Sequence, residues 1–445
     1  MPIEICTVGG FNEVGKNMTA VRVDDEVVII DMGLHLDPYI KYTQDSDLEE
    51  DISPTKLMKI GALPDIKPIK SWRNKVVAIV PTHAHLDHVG AIPYLAGRYD
   101  APIICTPFTA EVIKSICADE KITLDNEIKV LNPNSMINVS DKLKVEFINM
   151  THSTPQTVMV LLHTPYGKVL YGNDFKFDNR PVLGKKPNYE RLQKLRDEDV
   201  VCLIVDSTRS DEAQKTPSEQ VAKEMLKDIM LGTSSEGKAM IVTTFSSHLA
   251  RLQSIIEFGK KLDREIVFLG RSLAKYVTAG ENIGLIKFSE DVDIVKYKKK
   301  IKKRLKKISS DPSKYLVVCT GHQGEEKSVL SRIANNEFDF RLGHEDHIIF
   351  SCAVIPTPLN RANRELLESR LKSFGVRIFK DIHVSGHAAR EDLRDLINMV
   401  KPDHIIPAHG DMSMASSLAE LCTEMGYKIG EDVHIMRDGQ FIEFE

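Results

Sequence analysis

Short runs of β-branched and aliphatic residues, separated by polar turns, open the chain. Ile3–Val8, Met18–Val23 and Val27–Ile30 each fit a strand, and Asp24-Asp25 between the last two marks a tight turn. Residues 37–70 are polar and carry prolines, which predicts a long irregular loop near the mouth of a site. Val76–Val80 is a short apolar run and predicts a buried strand, followed by a cluster of histidines and aspartates and then a helix from about Val89 to Arg98. Further strands are expected at Ile103–Cys105, Leu143–Ile148, Val158–His163 and Val169–Tyr171, with Tyr166-Gly167 as the hairpin turn between the last two. Val200–Val205 closes this β-rich half at Asp206.

From about residue 211 the pattern changes to alternating helix and strand. Ser218 reads as the N-cap of a helix reaching Met230, Ala239–Thr243 as a strand, and His248–Lys261 as a helix. Ile266–Leu269, Tyr315–Cys319 and Ile348–Cys352 continue as strands with helices between them, an alternation that implies a parallel sheet. A helix over Ala362–Phe374 precedes a return to strand, helix and strand, ending in Val433–Met436 and Gln440–Glu443 around an Asp438-Gly439 turn.

A chain of 445 residues exceeds one ordinary core, so two domains are expected. The net charge of -5 provides no global attraction for a polyanion, which leaves bound metal or a local patch. One such patch exists, because residues 296–307 hold nine Lys or Arg in twelve positions. With Ile294, Tyr297, Ile301, Leu305 and Ile308 on its other side, the run fits an amphipathic helix, either simply solvated or steering a polyanion. The seven cysteines are scattered within apolar runs and read as reduced, buried thiols. No apolar stretch nears the length of a membrane span. A cytoplasmic protein with no membrane partner is expected.

His83, His85, Asp87 and His88 directly follow a buried strand, and three histidines with an aspartate in six residues have no packing rationale. In an extended segment residues two apart project to one side, so His83 and His85 suit one cation. Asp87 and His88 fall where the next helix starts and suit a second. Imidazole with carboxylate favours zinc, with manganese as the alternative. His152, Asp174 and His409 each follow a predicted strand and are further ligand candidates, and Asp31 could orient a ligand from behind.

Thr82-His83-Ala84-His85-Leu86-Asp87-His88-Val89-Gly90 resembles the signature of the metallo-β-lactamase fold, with Asp31, His152 and Asp174 similar to its other metal motifs in order. The second half resembles the β-CASP nucleases through Asp206-Ser207-Thr208, Ser385-Gly386-His387-Ala388 and Pro407-Ala408-His409-Gly410. Three wider strings resemble ribonuclease J: Thr151–Pro155, Gly172–Asp178 and Cys319–Glu325. The chain is thereby identified as a member of that family, of the shorter archaeal type lacking a C-terminal domain. His322 departs from it, standing where bacterial members usually have serine.

The resemblance implies an αββα sandwich over 1–207, interrupted by an α/β β-CASP domain at 208–370 and completed by 371–445. It implies one metal on His83, His85 and His152, a second on Asp87, His88 and His409, and Asp174 between them. Asp87, His387, Asp206 and Asp31 form the expected catalytic set, with His387 donating a proton or stabilising a phosphate oxygen and Asp206 orienting His409 or His387. In the family that the chain resembles, a histidine at the last motif goes with RNA substrates, so His409 implies RNA rather than DNA. The implied activity is 5′→3′ exonucleolytic cleavage of single-stranded RNA bearing a 5′-monophosphate. Ser246, Ser247, His248, Ser385, Gly386, His387 and Ala388 are expected to receive that end, and a homodimer is expected. The rivals are a β-CASP endoribonuclease, a small-ester hydrolase of lactonase or glyoxalase type, and a non-catalytic binding module.

Overall fold

A computed structural model describes residues 3–45, 53–355 and 357–444. The chain divides into two compact units. One comprises Met1–Asn179, Gly184–Thr216 and Gly386–Glu445, the other Arg180–Leu183 and Pro217–Ser385.

The first unit is built on two sheets. In the first, the strands run in the order Gln440–Phe444, Ile3–Gly9, Met18–Val23, Glu26–Ile30, Val76–Val80, Ile103–Cys105, Ile128–Val130. In the second, the order is His404–Ala408, Val200–Asp206, Gly167–Gly172, Val158–Thr164, Lys144–Asn149, Met136–Asn138. Alternate residues of both sheets meet in one core, where Val28, Ile30 and Val80 pack with Phe147, Val160, Tyr171 and Ile204. The opposite face of the second sheet, with Ile148, Leu161, Leu203 and Ile405, packs against Leu393, Leu396 and Leu418 of the helices Arg390–Val400 and Met412–Glu424. Each large aliphatic side chain buried this way contributes about 1.5–3 kcal/mol, so the sandwich is held chiefly by apolar burial. The strand His404–Ala408 lies parallel to Val200–Asp206 with Ala408 opposite Asp206. That register carries His409 back to residues more than two hundred positions earlier.

The second unit has a six-stranded, wholly parallel sheet in the order Val292–Val295, Glu265–Leu269, Tyr315–Cys319, Met240–Thr243, His347–Phe350, Arg377–Phe379. Its three central strands are buried along their whole length, as a sheet covered on both faces requires. The basic run forms the helix Lys298–Ile308, anchored by Ile301, Leu305 and Ile308 in this unit's core.

Several expectations need correction. Residues 37–70 are not an irregular loop throughout: helices span Leu36–Asp45 and Pro54–Lys59, the second capped by Ser53 with Pro54 in its first turn. Residues 46–52 of that stretch lie outside the described residues. The single helix expected over 89–98 is broken into Leu86–Val89, Ile92–Leu95 and a 3-10 turn Ala96–Arg98. The amide of Ala91 donates to Met32 O at 3.0 Å instead of up its own helix, and Pro93 has no amide to donate. Val433–Met436 makes only isolated bridges, to Ile405 and Ile429. A thirteen-residue helix, Pro107–Asp119, was not anticipated. Tyr297 is not on the buried side of the basic helix but precedes it, 53% exposed. Ser218 caps its helix as expected, and all seven cysteines are free and buried.

Candidate metal centre

The candidate ligands of the first unit all leave the ends of neighbouring strands. Ile30 pairs with Val80 in parallel register, so Asp31 and Thr82 emerge side by side, and Thr82 N donates to Asp31 Oδ1 at 2.8 Å. Gly172 lies opposite Val205, which brings Asp174 beside Asp206. Asp31, Asp174 and His409 have φ of 59°, 48° and 54°, the left-handed region that Asp tolerates better than most residues. The chain turns sharply at each of them, and their carboxyl and imidazole groups point back into one place.

Two groups of atoms converge there. His85 Nδ1 is 3.1 Å from both His83 Nε2 and His152 Nε2, and Asp174 Oδ2 is 3.5 Å from those same two Nε2 atoms. On the other side, Asp174 Oδ1 is 3.2 Å from His88 Nε2 and 3.5 Å from His409 Nε2, while Asp87 Oδ2 is 3.7 Å from each. Each set places its ligand atoms within 4.8 Å of one another. Asp174 thus turns one oxygen to each set.

The outward ring nitrogens fix the tautomers. His88 Nδ1 lies 2.7 Å from Asp31 Oδ2 and His152 Nδ1 2.8 Å from Gly386 O, while His409 Nδ1 meets the Asn17 amide, 2.8 Å from Nδ2 and 3.0 Å from Oδ1. His83 Nδ1 lies 3.0 Å from Thr82 Oγ1, which in turn bonds the Asp31 carboxylate. Protons on the outer nitrogens of His83 and His152 leave lone pairs on the inner ones, as metal-bound histidine requires. Burial holds His83 and His152 well below the usual imidazole pKa and lowers His85 to about 4, which keeps them neutral. His88 differs because Asp174, Asp31 and Asp87 surround it; against its burial they raise it well above the usual value. Burial disfavours the charge on Asp174, but His409, His88 and His387 more than offset that and hold its carboxyl well below the usual range. Asp174 Oδ1 is nevertheless buried with no hydrogen-bond partner. Facing nitrogen lone pairs, a partnerless buried carboxylate oxygen and a donor set of imidazole and carboxylate fit a metal cofactor.

His387 stands beside this centre, its ring stacked 5.6 Å from that of His409. Its Nδ1 is 2.8 Å from Asp206 Oδ2, and Asp206 Oδ1 accepts from the Thr208 amide and hydroxyl. Burial works against the charged ring, but Asp206 and Asp174 prevail and raise His387 to about 9. Gly386 has no room for a side chain, since a Cβ would sit 2.3 Å from Ser153 Oγ and 2.8 Å from the His152 ring. Ala388 packs into the core rather than the centre.

The other expected substrate residues lie in the second unit. Ser246 Oγ is 2.9 Å from Ser272 Oγ. His248 accepts from Arg251 N as the cap of the helix Leu249–Lys261, and its Nε2 is 3.3 Å from Glu219. Ser247 is buried next to it, and Ser385 is the last residue of this unit. Sequence reasoning missed three residues of the metal centre. Thr82 links His83 to Asp31, and Asn17 reaches His409 and His88. Gly33 lets the Asp87 carbonyl approach, because a Cβ there would lie 1.6 Å from that oxygen. For Asn17 and Thr82 the signal available was positional: a polar residue within two positions of a buried strand.

Family models match in chain order. Residues 12–203 match the metallo-β-lactamase superfamily, 237–366 the ribonuclease J β-CASP domain, and 376–436 the Zn-dependent metallo-hydrolase RNA specificity domain. Ribonuclease J of Methanocaldococcus jannaschii is 45% identical over 447 residues, covering 100% of this chain and 99% of the relative. The chain belongs to the ribonuclease J family. Ribonuclease J of Pyrococcus abyssi is 46% identical over 443 residues, 99% of this chain and 97% of that one. Ribonuclease J 1 of Streptococcus pyogenes is 30% identical and matches over 74% of its own length. Among solved structures, a protein of unknown function from Enterococcus faecalis aligns over the whole of both chains with a TM-score of 0.62 at 16% identity, a likeness of fold. Among the described residues no helix is long and apolar enough to cross a membrane.

Proposed function

We propose that this ribonuclease J family member is a metal-dependent ribonuclease that holds two zinc ions and degrades single-stranded RNA 5′→3′ from 5′-monophosphorylated ends, in RNA decay and maturation. The observation that carries the reading is the pair of ligand sets sharing Asp174, in a chain similar over its full length to ribonucleases. One set, His83, His85 and His152, would hold the first ion, and Asp87, His88 and His409 the second, with Asp174 common to both. Two cations held by these residues would supply charge neutralisation at a phosphate and a water made nucleophilic at neutral pH.

The chain's own groups do the rest. Asp31 and Thr82 hold His88 and His83 in the tautomer that leaves Nε2 inward. A protonated His387, kept so by Asp206, would donate from Nε2 to the leaving 3′-oxygen. Ser246, Ser247, His248, Ser385, Gly386, His387 and Ala388 are assigned to reception of the 5′ end; hydroxyls, imidazole and backbone amides are the groups that bind a phosphate monoester. In this reading 208–370 is the inserted β-CASP domain, and the protein works in the cytoplasm as a homodimer, on the family resemblance alone.

The test uses the purified protein on RNA labelled at either end, with a 5′-mono- or triphosphate, with and without chelator. Labelled mononucleotide in the first minutes, only from 5′-monophosphate RNA and only without chelator, is the expected result. A ladder of internal fragments assigns the centre to endonucleolytic cleavage. Undiminished cleavage in chelator overturns the metal mechanism.

A further inference from the structure

The helix Lys298–Ile308 departs from what a merely solvated surface helix would use. Seven lysines and Arg304 occupy eight of its eleven positions. Lysines three and four apart on one helix repel, and cations in the first turn oppose the helix dipole; both arrangements destabilise the helix. No acidic residue lies in that first turn. Among the described residues, Arg304 alone in this helix has an ion-pair partner, 2.7 Å from Asp293 and 3.8 Å from Glu265, and its guanidinium also lies over Tyr315. The seven lysines are exposed, and among the described residues none of them has a carboxylate within ion-pair distance. The helix is held by Ile301, Leu305 and Ile308, so its charges are carried at a cost to stability that burial elsewhere offsets.

Tyr297 adds the second observation. It immediately precedes the helix, is 53% exposed, and has the Lys296 ammonium 5.1 Å from its ring centre. An exposed aromatic ring flanked by cations is the combination that binds single-stranded nucleic acid, with the ring taking a base and the cations the backbone. An acidic protein partner would engage the lysines equally well but gains nothing specific from a stacking ring. The net charge of -5 adds weight, because the chain keeps this local concentration of positive charge within an acidic whole.

We infer that Tyr297 and the lysine face of Lys298–Lys307 form an RNA-binding surface of the second unit, gripping the phosphate backbone and stacking one base without reading sequence. This goes beyond the ribonuclease reading of the metal centre and rests on it only for the choice of RNA as the ligand. Phosphates placed against the first turn would also relieve the unfavourable dipole there.

The test measures binding of a fluorescent oligouridylate by anisotropy in chelator, so that nothing is cleaved, across a series of salt concentrations. The variants are Lys299→Gln/Lys302→Gln/Lys303→Gln/Lys306→Gln together, and Tyr297→Ala. Single-stranded binding loses about 0.7 in the slope of log K against log salt per phosphate contact, so the four-lysine variant should flatten that slope by about two to three. Its affinity at low salt should fall at least tenfold. Tyr297→Ala should weaken binding about fivefold or more with the slope unchanged, since stacking releases no counterions. Hydrolysis of bis(p-nitrophenyl) phosphate by the metal-loaded protein should be unaltered in both, which checks that the fold and the centre are intact. Wild-type binding with the slope and affinity preserved in the four-lysine variant would overturn this inference and leave the ribonuclease reading standing. Competition by polyglutamate as effective as by unlabelled RNA would overturn it in favour of an acidic protein partner. Absence of RNA binding by the wild type would overturn both readings.

Discussion

The first unit buries His83, His88 and Asp174, and the second buries Glu219, His248 and Arg251, yet the two groups dispose of their polar atoms in opposite ways. In the second unit's cluster of Glu219, His248 and Arg251 each group meets a complement. Arg251 gives Nε and Nη2 to the Glu219 carboxylate, and Nη1 to Ser351 and to Ile382 O, while His248 adds a contact to Glu219. Burial opposes the charge on Glu219, but His248 and Arg251 hold its carboxyl well below the usual range. In the first unit acceptor faces acceptor: the inner nitrogens of His83, His85 and His152 point at one another and at Asp174 Oδ2, while Asp174 Oδ1 has no hydrogen-bond partner. A buried cluster whose groups complement one another needs only itself, whereas one whose acceptors converge calls for a cation. Burial and residue type alone do not separate the two.

Breaking each cluster should therefore have different consequences. Asp174→Ala removes an oxygen from both ligand sets, so RNA hydrolysis should fall about a thousandfold or more, the scale of several kcal/mol of lost charge stabilisation. Plasma mass spectrometry should show the bound metal depleted in the same variant. Glu219→Ala leaves Arg251 buried and uncompensated, and should destabilise the protein by about 3–5 kcal/mol in denaturant unfolding. Metal content of the folded Glu219→Ala protein should equal the wild type's; loss of metal there would erase the distinction between the clusters. Asp31→Asn keeps the shape but weakens the hold on His88 and Thr82, and chelator competition should show metal affinity about 10–100-fold lower. The smallest effect is expected for Asn17→Ala, about 1 kcal/mol in thermal unfolding with a lesser loss of metal than in Asp31→Asn. A larger effect at Asn17 than at Asp31 would mean that His409, not His88, is the ligand most dependent on its support.

Much of this was legible in the sequence where chemistry is contiguous. His83, His85, Asp87 and His88 stand within six residues, and no apolar packing explains them. His152, Asp174 and His409 were recognisable only because each follows an apolar run, and the parallel register of Ala408 with Asp206 is what brings the last of them back. Asn17 and Thr82 stayed hidden because a single polar residue beside a strand is the commonest of sequence features, and its partner is decided by tertiary contact. The helices within 37–70 were obscured by polar composition, although Ser53 and Pro54 carry a start signal. The helix expected over 89–98 failed for a different reason, a competing hydrogen bond from Ala91 to Met32 that no local pattern encodes. His248 has a capping and an ion-pair role and Ser246 a hydrogen bond to Ser272, and these coexist with the substrate role proposed for both residues.

The left-handed backbone at Asp31, Asp174 and His409 bears on how such a protein can change over time. Each non-glycine residue held there costs on the order of 1–2 kcal/mol, and glycine at the same position would not incur it. Three standing penalties at widely separated points of the chain are tolerated for what the side chains do together. Released from selection for that purpose, a descendant copy relieves the backbone penalty by replacing any one of them with glycine, and the first such replacement removes the benefit of keeping the other two. Decay of the activity in a duplicated lineage should therefore be abrupt, and its earliest scars should be glycines at 31, 174 or 409.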